Sequence, residues 1–504
     1  MAVYIAPGVY SEEIDRSLYI PMISTSICGI TGPFAKGPMD EVTLVTSRPQ
    51  FLEDFGEPLS GDDGVAAHAA LYFLRFGNQL KIVRVGDSNA DKAEDDIYSA
   101  DSVTQKIGVV RAISEGTWAD GVQVTMETDT VPTADPAVTE TVYNIKVFAL
   151  GADVDEDDPL EIWEDIVFDE SSDSRYVEKI INENSLYIEF AMTGEAVPDA
   201  STTWLLAGGD DGTDTLGTSD ITGGIDLFAD ATTVDVNLLS APGFNHDDVV
   251  AAYLIVTAVA RADCLAVLDT PDLTTAATMV NYVRGTGAYT TPVASANRAA
   301  IYGPWIQIND PYNEEKIWVP PSVRVLGIFA FSDSVAFPWY AAAGPNRGIL
   351  YDTLDVRFDM TVGDIEVTYG SMNNINPIRS TVDGILVDGN KNLQRKPSLL
   401  QNVNIIRMLM YAEKAIATAV RYLQWEPHDE ITWRQYENLV NPFLEWIASN
   451  RGITTFKVKC DSDTNTPYRI NNNEMVAELH MIPTTVAEKI INKYIIHPHG
   501  ASLE

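Results

Sequence analysis

Hydrophobic positions recur at helical spacing most clearly in the last quarter of the chain. Val403, Ile406, Leu409, Met410, Ile416, Ala417, Val420 and Leu423 form one stripe, with Arg407, Lys414 and Arg421 off it. That pattern predicts an amphipathic helix whose charged residues stay in water. Trp433, Tyr436, Leu439, Val440, Phe443, Leu444 and Ile447 predict a second helix, with Pro442 as a kink and Gly452 as the stop. Beyond it the period changes from about 3.6 to 2. Phe456, Val458 and Cys460 alternate with Lys457 and Lys459, and Met475, Ala477, Leu479 and Met481 resume the alternation after a polar turn. Residues 376–504 therefore read as a small α+β domain.

Both ends of the chain carry a short apolar segment without a tight hairpin partner. At the start these are Val3, Tyr4 and Ile5, then Val9 and Tyr10; at the end a strand is expected over Glu488–Ile496, with Ile490, Ile491, Tyr494, Ile495 and Ile496. Such segments either add to a sheet in another chain or fold back onto their own domain, and the pattern leaves both open.

The first 375 residues read differently. A strand over Val42–Val45, a helix capped by Ser47 and running through Phe55, a second helix over Val65–Phe76 and a strand over Leu80–Val85 with Lys81 and Arg84 interleaved predict α/β layering after a terminal arm over 1–20. The pattern breaks over 91–210, where short alternating runs such as Val122–Met126 and Val142–Phe148 are separated by Pro, Gly and Asp. It resumes over 211–375: a helix started by Asp247 or Asp248 and running through Ala260, a strand over Cys264–Leu268, strands within Ala299–Ile308 and a helix over Pro321–Phe331. The expected class is thus multidomain α+β and α/β. A middle α/β domain, split into 21–90 and 211–375, is interrupted by a β-rich insertion and followed by the C-terminal domain.

Charge sharpens that division. The chain of 504 residues has a net charge of -40, which argues against nucleic-acid or anionic-membrane surfaces because binding there requires basic patches that release counterions. Residues 91–210 hold 28 Asp or Glu against 6 Lys or Arg, whereas residues 379–504 hold 14 of each sign. A neutral C-terminal block beside an acidic remainder would turn towards any acidic partner. Cys28, Cys264 and Cys460 follow no paired spacing and sit in apolar runs, so buried free thiols and assembly in a reducing cytoplasm are expected. The longest apolar run, Val249–Ala260, is short of the roughly 18 to 20 residues of a membrane span, and no signal-peptide pattern opens the chain.

Candidate chemistry adds little. Asp153, Asp155, Asp157, Glu161 and Glu164 match positions of a calcium loop, but Asp158 stands where that loop needs Gly, so a solvated acidic linker is expected. The Gly208–Gly212 run lacks a following Lys-Ser/Thr and reads as a turn, not a phosphate cradle. The six histidines have no zinc-type spacing, and no Gly-x-Ser-x-Gly or His-Glu-x-x-His is present. No metal, cofactor or catalytic residue is expected. Trp118, Trp163 and Trp204 would suit a sugar-binding or enzymatic surface protein, though core packing is the plainer use of each.

Several motifs in order resemble one family. Pro7-Gly8-Val9-Tyr10 with Glu12-Glu13-Ile14, Gly208-Gly209-Asp210-Asp211-Gly212, Ala241-Pro242-Gly243, Val267-Leu268-Asp269-Thr270-Pro271, Gly303-Pro304-Trp305, Val319-Pro320-Pro321-Ser322, Asn376-Pro377-Ile378-Arg379 and the helix at Val403–Leu423 are similar to contractile tail sheath proteins of myophages and related injection systems. Val387-Asp388-Gly389-Asn390-Lys391 departs from the family, which usually has an aromatic before the Gly and an Arg-Thr pair soon after.

The resemblance implies a non-enzymatic subunit that polymerises as stacked helical rings around a tail tube. It also implies contraction by rigid-body rearrangement without nucleotide, with the terminal arms adding strands to neighbouring subunits. Implied partners are the chain itself, the tail tube protein, and baseplate and tail terminator proteins; the implied place is the virion tail, after assembly in the host cytoplasm. A headless injection particle is the alternative source. The charge split then makes Lys457, Lys459, Lys489 and Lys493 candidate tube contacts and places the 91–210 insertion outside.

Overall fold

The computed structural model describes residues 24, 26–100, 102–132, 139–154, 156–168, 174–193, 197–198, 202–370 and 372–494. Its described residues fall into two compact units, one ending at Ile406 and a second that starts at Arg407. The larger unit opens with strands β1 (Ile27–Gly32) and β2 (Val42–Val45), helices α1 (Arg48–Phe55) and α2 (Val65–Phe73), and strand β3 (Gln79–Arg84). Ser47 caps α1 as its sequence position predicts, its Oγ accepting from the Gln50 N–H at 3.4 Å. α2 stops at Phe73, one turn short of the Phe76 expected.

The insertion follows as β4 (Glu94–Ser99), β5 (Ser102–Ala112), β6 (Gln123–Pro132), β7 (Thr139–Phe148), β8 (Glu161–Ile166), α3 (Val177–Asn184), β9 (Ile188–Met192) and β10 (Thr203–Leu205). Its strands form two antiparallel sheets, β10-β6-β7-β8 and β4-β5-β9. They share a core of their own, drawn from Ala93 to Leu206. Trp204 is buried there, edge-on to Phe190, so its ring packs and is not offered to a ligand. The acidic run at 153–164 joins β7 to β8. Glu161 is occupied by the Leu186 N–H at 2.8 Å and by the Trp163 indole N–H at 3.1 Å, and strands, not helices, flank the loop.

The remainder of the unit contains α4 (Thr218–Asp226), β11 (Leu238–Ser240), α5 (Asp248–Arg261), β12 (Leu265–Asp269), α6 (Ala276–Arg284) and β13 (Ala299–Gly303). These are followed by β14 (Ile306–Asp310), β15 (Glu315–Val319), α7 (Ser322–Val335), β16 (Thr353–Val356), α8 (Val362–Thr368), β17 (Ile375–Thr381) and β18 (Gly384–Val387). The principal sheet has the order β18-β17-β13-β12-β11-β1-β3-β2. Its six inner strands are parallel; β2 and β18 close the edges antiparallel.

Every residue of β12 and β13 is buried, as a parallel sheet covered on both faces requires. One set of side chains, including Leu239, Ala266, Leu268 and Ile301, packs with α4, α5 and α6. The alternate set meets α2 and α7. Those two helices approach so closely that a Cβ on Gly327 would stand 2.5 Å from Cδ1 of Tyr72.

Two sequence expectations shift here. The run Ala299–Ile308 divides at Pro304 into strands of different sheets, β13 in the large sheet and β14 in the small antiparallel sheet β15-β14-β16. The compact unit also continues past the boundary expected at 376. β17 pairs in parallel with β13, and Asn376 ties it further by donating from Nδ2 to the Ile301 and Lys391 carbonyls at 3.1 and 2.7 Å.

Four of the motifs quoted above, those around Ala241, Asp269, Trp305 and Ser322, meet at the carboxyl ends of β11, β12 and β13. Asp269, wholly buried, accepts from the Ser322 N–H at the start of α7 at 2.7 Å and from Asn245 Nδ2 at 2.9 Å. Asn245 also donates to Ser240 Oγ and accepts from the Ala241 N–H, while the Trp305 indole donates to the Thr270 carbonyl at 2.7 Å. Burial pushes the Asp269 carboxyl up to about 6, against the opposing pull of the Ser322 and Asn245 hydrogen bonds. Doubly wound folds place ligands at this edge. In this chain the edge is tied by side chains from three segments and the Ser322 N–H of a fourth. At the departure noted above, Asp388 pairs with Arg379 at 2.7 Å and Asn390 donates to Asn404 at 2.8 Å.

Candidate assembly surfaces

The smaller unit is built on helices α9 (Val403–Val420, which begins in the larger unit) and α10 (Glu430–Ser449), strand β19 (Ile453–Lys459), helix α11 (Pro467–Asn471) and strand β20 (Glu478–Pro483). Asp429 caps α10, its Oδ1 accepting from the Ile431 and Thr432 N–H groups at 3.0 Å each. All seven apolar residues assigned to the packed face of α10 are buried, and Pro442 lies inside the helix. α9 departs from its pattern: Arg407, expected in water, is buried, and Ala417, expected to pack, is exposed. A cation can occupy a buried helix position when its head group is partnered, and helical spacing carries no record of that partner.

β19 and β20 form an antiparallel hairpin with Lys457 opposite His480 and Val458 opposite Leu479. Phe456, Val458, Leu479 and Met481 share one half-buried face. Glu437 on α10 accepts from the Cys460 N–H at 3.0 Å and fixes the end of β19. The polar turn expected between the strands contains α11 and is braced by Asn465, which exchanges two hydrogen bonds with the backbone of Val476. This sheet has two strands only, so among the described residues each presents one edge without a ladder partner. An isolated two-stranded sheet is marginal in water, and its free edges are templates for another strand.

After β20 the chain runs over 484–494 without regular secondary structure. It exposes three large apolar side chains, Ile490 at 80%, Ile491 at 79% and Tyr494 at 87%. Ile495, Ile496, Val3, Tyr4, Ile5, Val9 and Tyr10 lie outside the described residues.

The candidate lysines do not stand alike. Lys457, Lys489 and Lys493 are exposed, whereas Lys459 pairs with Asp463 at 3.1 Å and lies 3.9 Å from Asp461. The Asp463 hydrogen bond raises the Lys459 ammonium above its ordinary value. A further apolar patch escaped the sequence reading: Trp425, 95% exposed, with Tyr422 and Ile431 in and beside the loop joining α9 to α10. Its signal was Pro427 followed by the Asp429 cap, which together place Trp425 outside both helical stripes. Cys28, Cys264 and Cys460 are buried free thiols.

The fold matches solved structures along most of its length. The sheath tail protein of Desulfitobacterium hafniense aligns with a TM-score of 0.60 at 12% identity, over 90% of this chain and 94% of that one. The sheath of an extracellular contractile injection system, in the PVC sheath complex in its contracted state, aligns at 0.55 and 17% identity over 98% of each. The architecture is that of contractile sheath proteins.

Sequence relationship agrees. The tail sheath protein of Enterobacteria phage T4 is 26% identical over 354 residues, 65% of this chain and 53% of that protein. The tail sheath protein of Vibrio phage KVP40 is 29% identical over 190 residues, 38% of this chain and 28% of that one. The chain thus spans about half the length of the first relative and less than a third of the second. Residues 395–495 match the phage tail sheath C-terminal domain family, and the chain is similar in sequence to phage tail sheath proteins.

Proposed function

We propose that the chain is a structural subunit of a contractile sheath, polymerising in helical rings around a tail tube and contracting by rigid-body rearrangement of subunits. The observation that carries the reading is the pairing of a two-stranded hairpin with open edges and a terminal segment that exposes Ile490, Ile491 and Tyr494. Each is incomplete in one chain, and each supplies what the other needs when it comes from a second copy. Main-chain pairing of a lent strand holds subunits together while their bodies turn. The N-terminal segment with Val3, Tyr4, Ile5, Val9 and Tyr10 is the second arm, and repetition of a head-to-tail contact propagates a helix.

The neutral C-terminal unit faces the tube, with Lys457, Lys489 and Lys493 as its contacts; Lys459, held by its own carboxylates, contributes less. The acidic insertion lies outside. No reaction is catalysed, and the particle belongs to a virion tail whose baseplate and terminator cap the polymer. A second reading, a sheath of a headless injection particle, is favoured by the likeness to the anti-feeding prophage sheath, TM-score 0.55 over 98% of this chain.

Electron microscopy of the full chain beside a version lacking residues 1–13, each expressed alone and with a tube protein, tests the reading. Cylinders from the full chain alone or with tube, and dispersed subunits from the truncation, are expected. Identical cylinders from both would remove strand lending by the N-terminal arm, and no polymer under any condition would remove the sheath reading.

A further inference from the structure

Two chain segments connect the insertion to the α/β body, and such a connection is either a hinge or a strut. The hydrogen bonding is that of a strut. The outgoing and returning segments pair along their length: the Asp87 N–H donates to the Gly212 carbonyl at 2.8 Å, Asp91 and Asp210 exchange bonds at 3.1 and 3.0 Å, and Glu94 and Ala207 do so at 3.1 and 3.3 Å. A third segment joins them where the Gly116 N–H donates to the Asp91 carbonyl at 3.0 Å. The carboxylates of this neck are engaged as hydrogen-bond acceptors. Asp211 takes the Thr117 N–H and hydroxyl at 3.1 and 2.9 Å, Asp120 takes the Gly209 N–H at 2.9 Å, and Asp87 takes the Thr215 N–H at 2.9 Å. The packing leaves no slack, since a Cβ on Gly209 would stand 2.2 Å from the Gly116 carbonyl oxygen.

Beside the neck, Arg84 at the end of β3 is buried completely. Its Nη1 donates to the Gly37 carbonyl of the body at 2.9 Å and to the Glu115 carbonyl of the insertion at 2.8 Å. The same loop of the body reaches across twice more: the Gly37 N–H donates to Ser114 Oγ at 3.1 Å, and the Lys36 ammonium lies 5.4 Å from the Trp118 ring centroid and 5.8 Å from that of Tyr187. Nη1 alone makes these bonds, while Nε and Nη2 are buried without a hydrogen-bond partner. Losing the bridge would leave the buried guanidinium with none, which ties the stability of the core to contact with the insertion.

We infer that the insertion is a fixed outrigger of the α/β body, locked in one orientation by Arg84 and the paired neck, so that any rotation of the body is transmitted to it undiminished. This holds whether or not the chain forms a sheath. Hinged appendages move on few, exposed backbone bonds; this one would have to break a ladder and unpair a buried cation to swing.

The test uses the full chain with exposed positions Thr130→Cys in the insertion and Val335→Cys on α7, spin-labelled for distance measurement; the three native cysteines are buried. One narrow distance is expected, at least twofold broader in Arg84→Met and less broadened in Arg84→Lys, which keeps a cationic donor at the site. A broad distribution in the parent overturns the strut, and an Arg84→Met distribution as narrow as the parent's overturns the role of Arg84. If Arg84→Met does not fold, Gly209→Ala decides: broadening supports the locked neck, and an unchanged distance overturns it.

Discussion

Replacing Asp269 with Asn tests the polar knot at the carboxyl end of the sheet. Its carboxyl, wholly buried, titrates near 6 in the fold against an ordinary 3.8, so the fold favours the protonated form. The stabilisation this provides is fully present below the unfolded value and is lost as pH rises through about 6. Two pH units correspond to about 3 kcal/mol. Asn does not titrate and keeps the acceptor for the Ser322 N–H, but its amide then faces the Nδ2 of Asn245. Asn245 cannot turn over without losing the Ala241 N–H, so the exchange leaves a buried donor pair at a cost of about 1–3 kcal/mol.

The variant is therefore less stable than the parent at pH 4, and the gap narrows by about 2 kcal/mol between pH 4 and 7 as the parent takes on its buried charge. Melting curves of parent and Asp269→Asn at matched pH values across that range measure the gap. A difference independent of pH would refute the argument, because it would mean that the carboxyl does not titrate there.

Other consequences are simpler. Gly327→Ala places a methyl against the Tyr72 ring and should cost about 1–3 kcal/mol in denaturant unfolding, with the same helices retained by circular dichroism. Leu444→Ala empties a fully buried site on α10 and should cost about 2–5 kcal/mol, read as a lower melting temperature. Ile490→Asp with Ile491→Asp changes exposed side chains, so subunit melting should hold while sedimentation shows loss of polymer. Glu in place of Lys457, Lys489 and Lys493 should weaken co-sedimentation with tubes, and more so at low salt; Lys459→Glu should have less effect because that lysine is already paired.

Much of the local structure was legible along the chain. β2 occupies Val42–Val45 as read, Ser47 caps the helix assigned to it, Asp247 is the cap out of the two candidates Asp247 and Asp248, and the seven apolar residues of α10 lie on its buried face. Misreadings fall on residues whose environment comes from elsewhere. Arg84, read only as interleaved in its strand, is buried against the insertion; Arg407 lay off an apolar stripe and is buried nonetheless. The region read as a polar turn holds α11, which is too short to leave a periodic signature.

The candidate surface divides in the same way. The terminal apolar segments and the lysines were visible as residue types, but the exposure of Trp425 and the engagement of Lys459 were not.

What the sequence determined by itself is whatever depends on neighbours within a few residues: caps, periods, breaks and the charge of each region. Only the tertiary structure decided which strands lie side by side, that Asp269 gathers Asn245 and the Ser322 N–H from segments far apart in the chain, and that among the described residues the hairpin keeps two open edges. Periodicity says which face of an element seeks cover. What covers it depends on long-range pairing, where the free energy of burial and hydrogen bonding is shared among residues that carry no mark of one another.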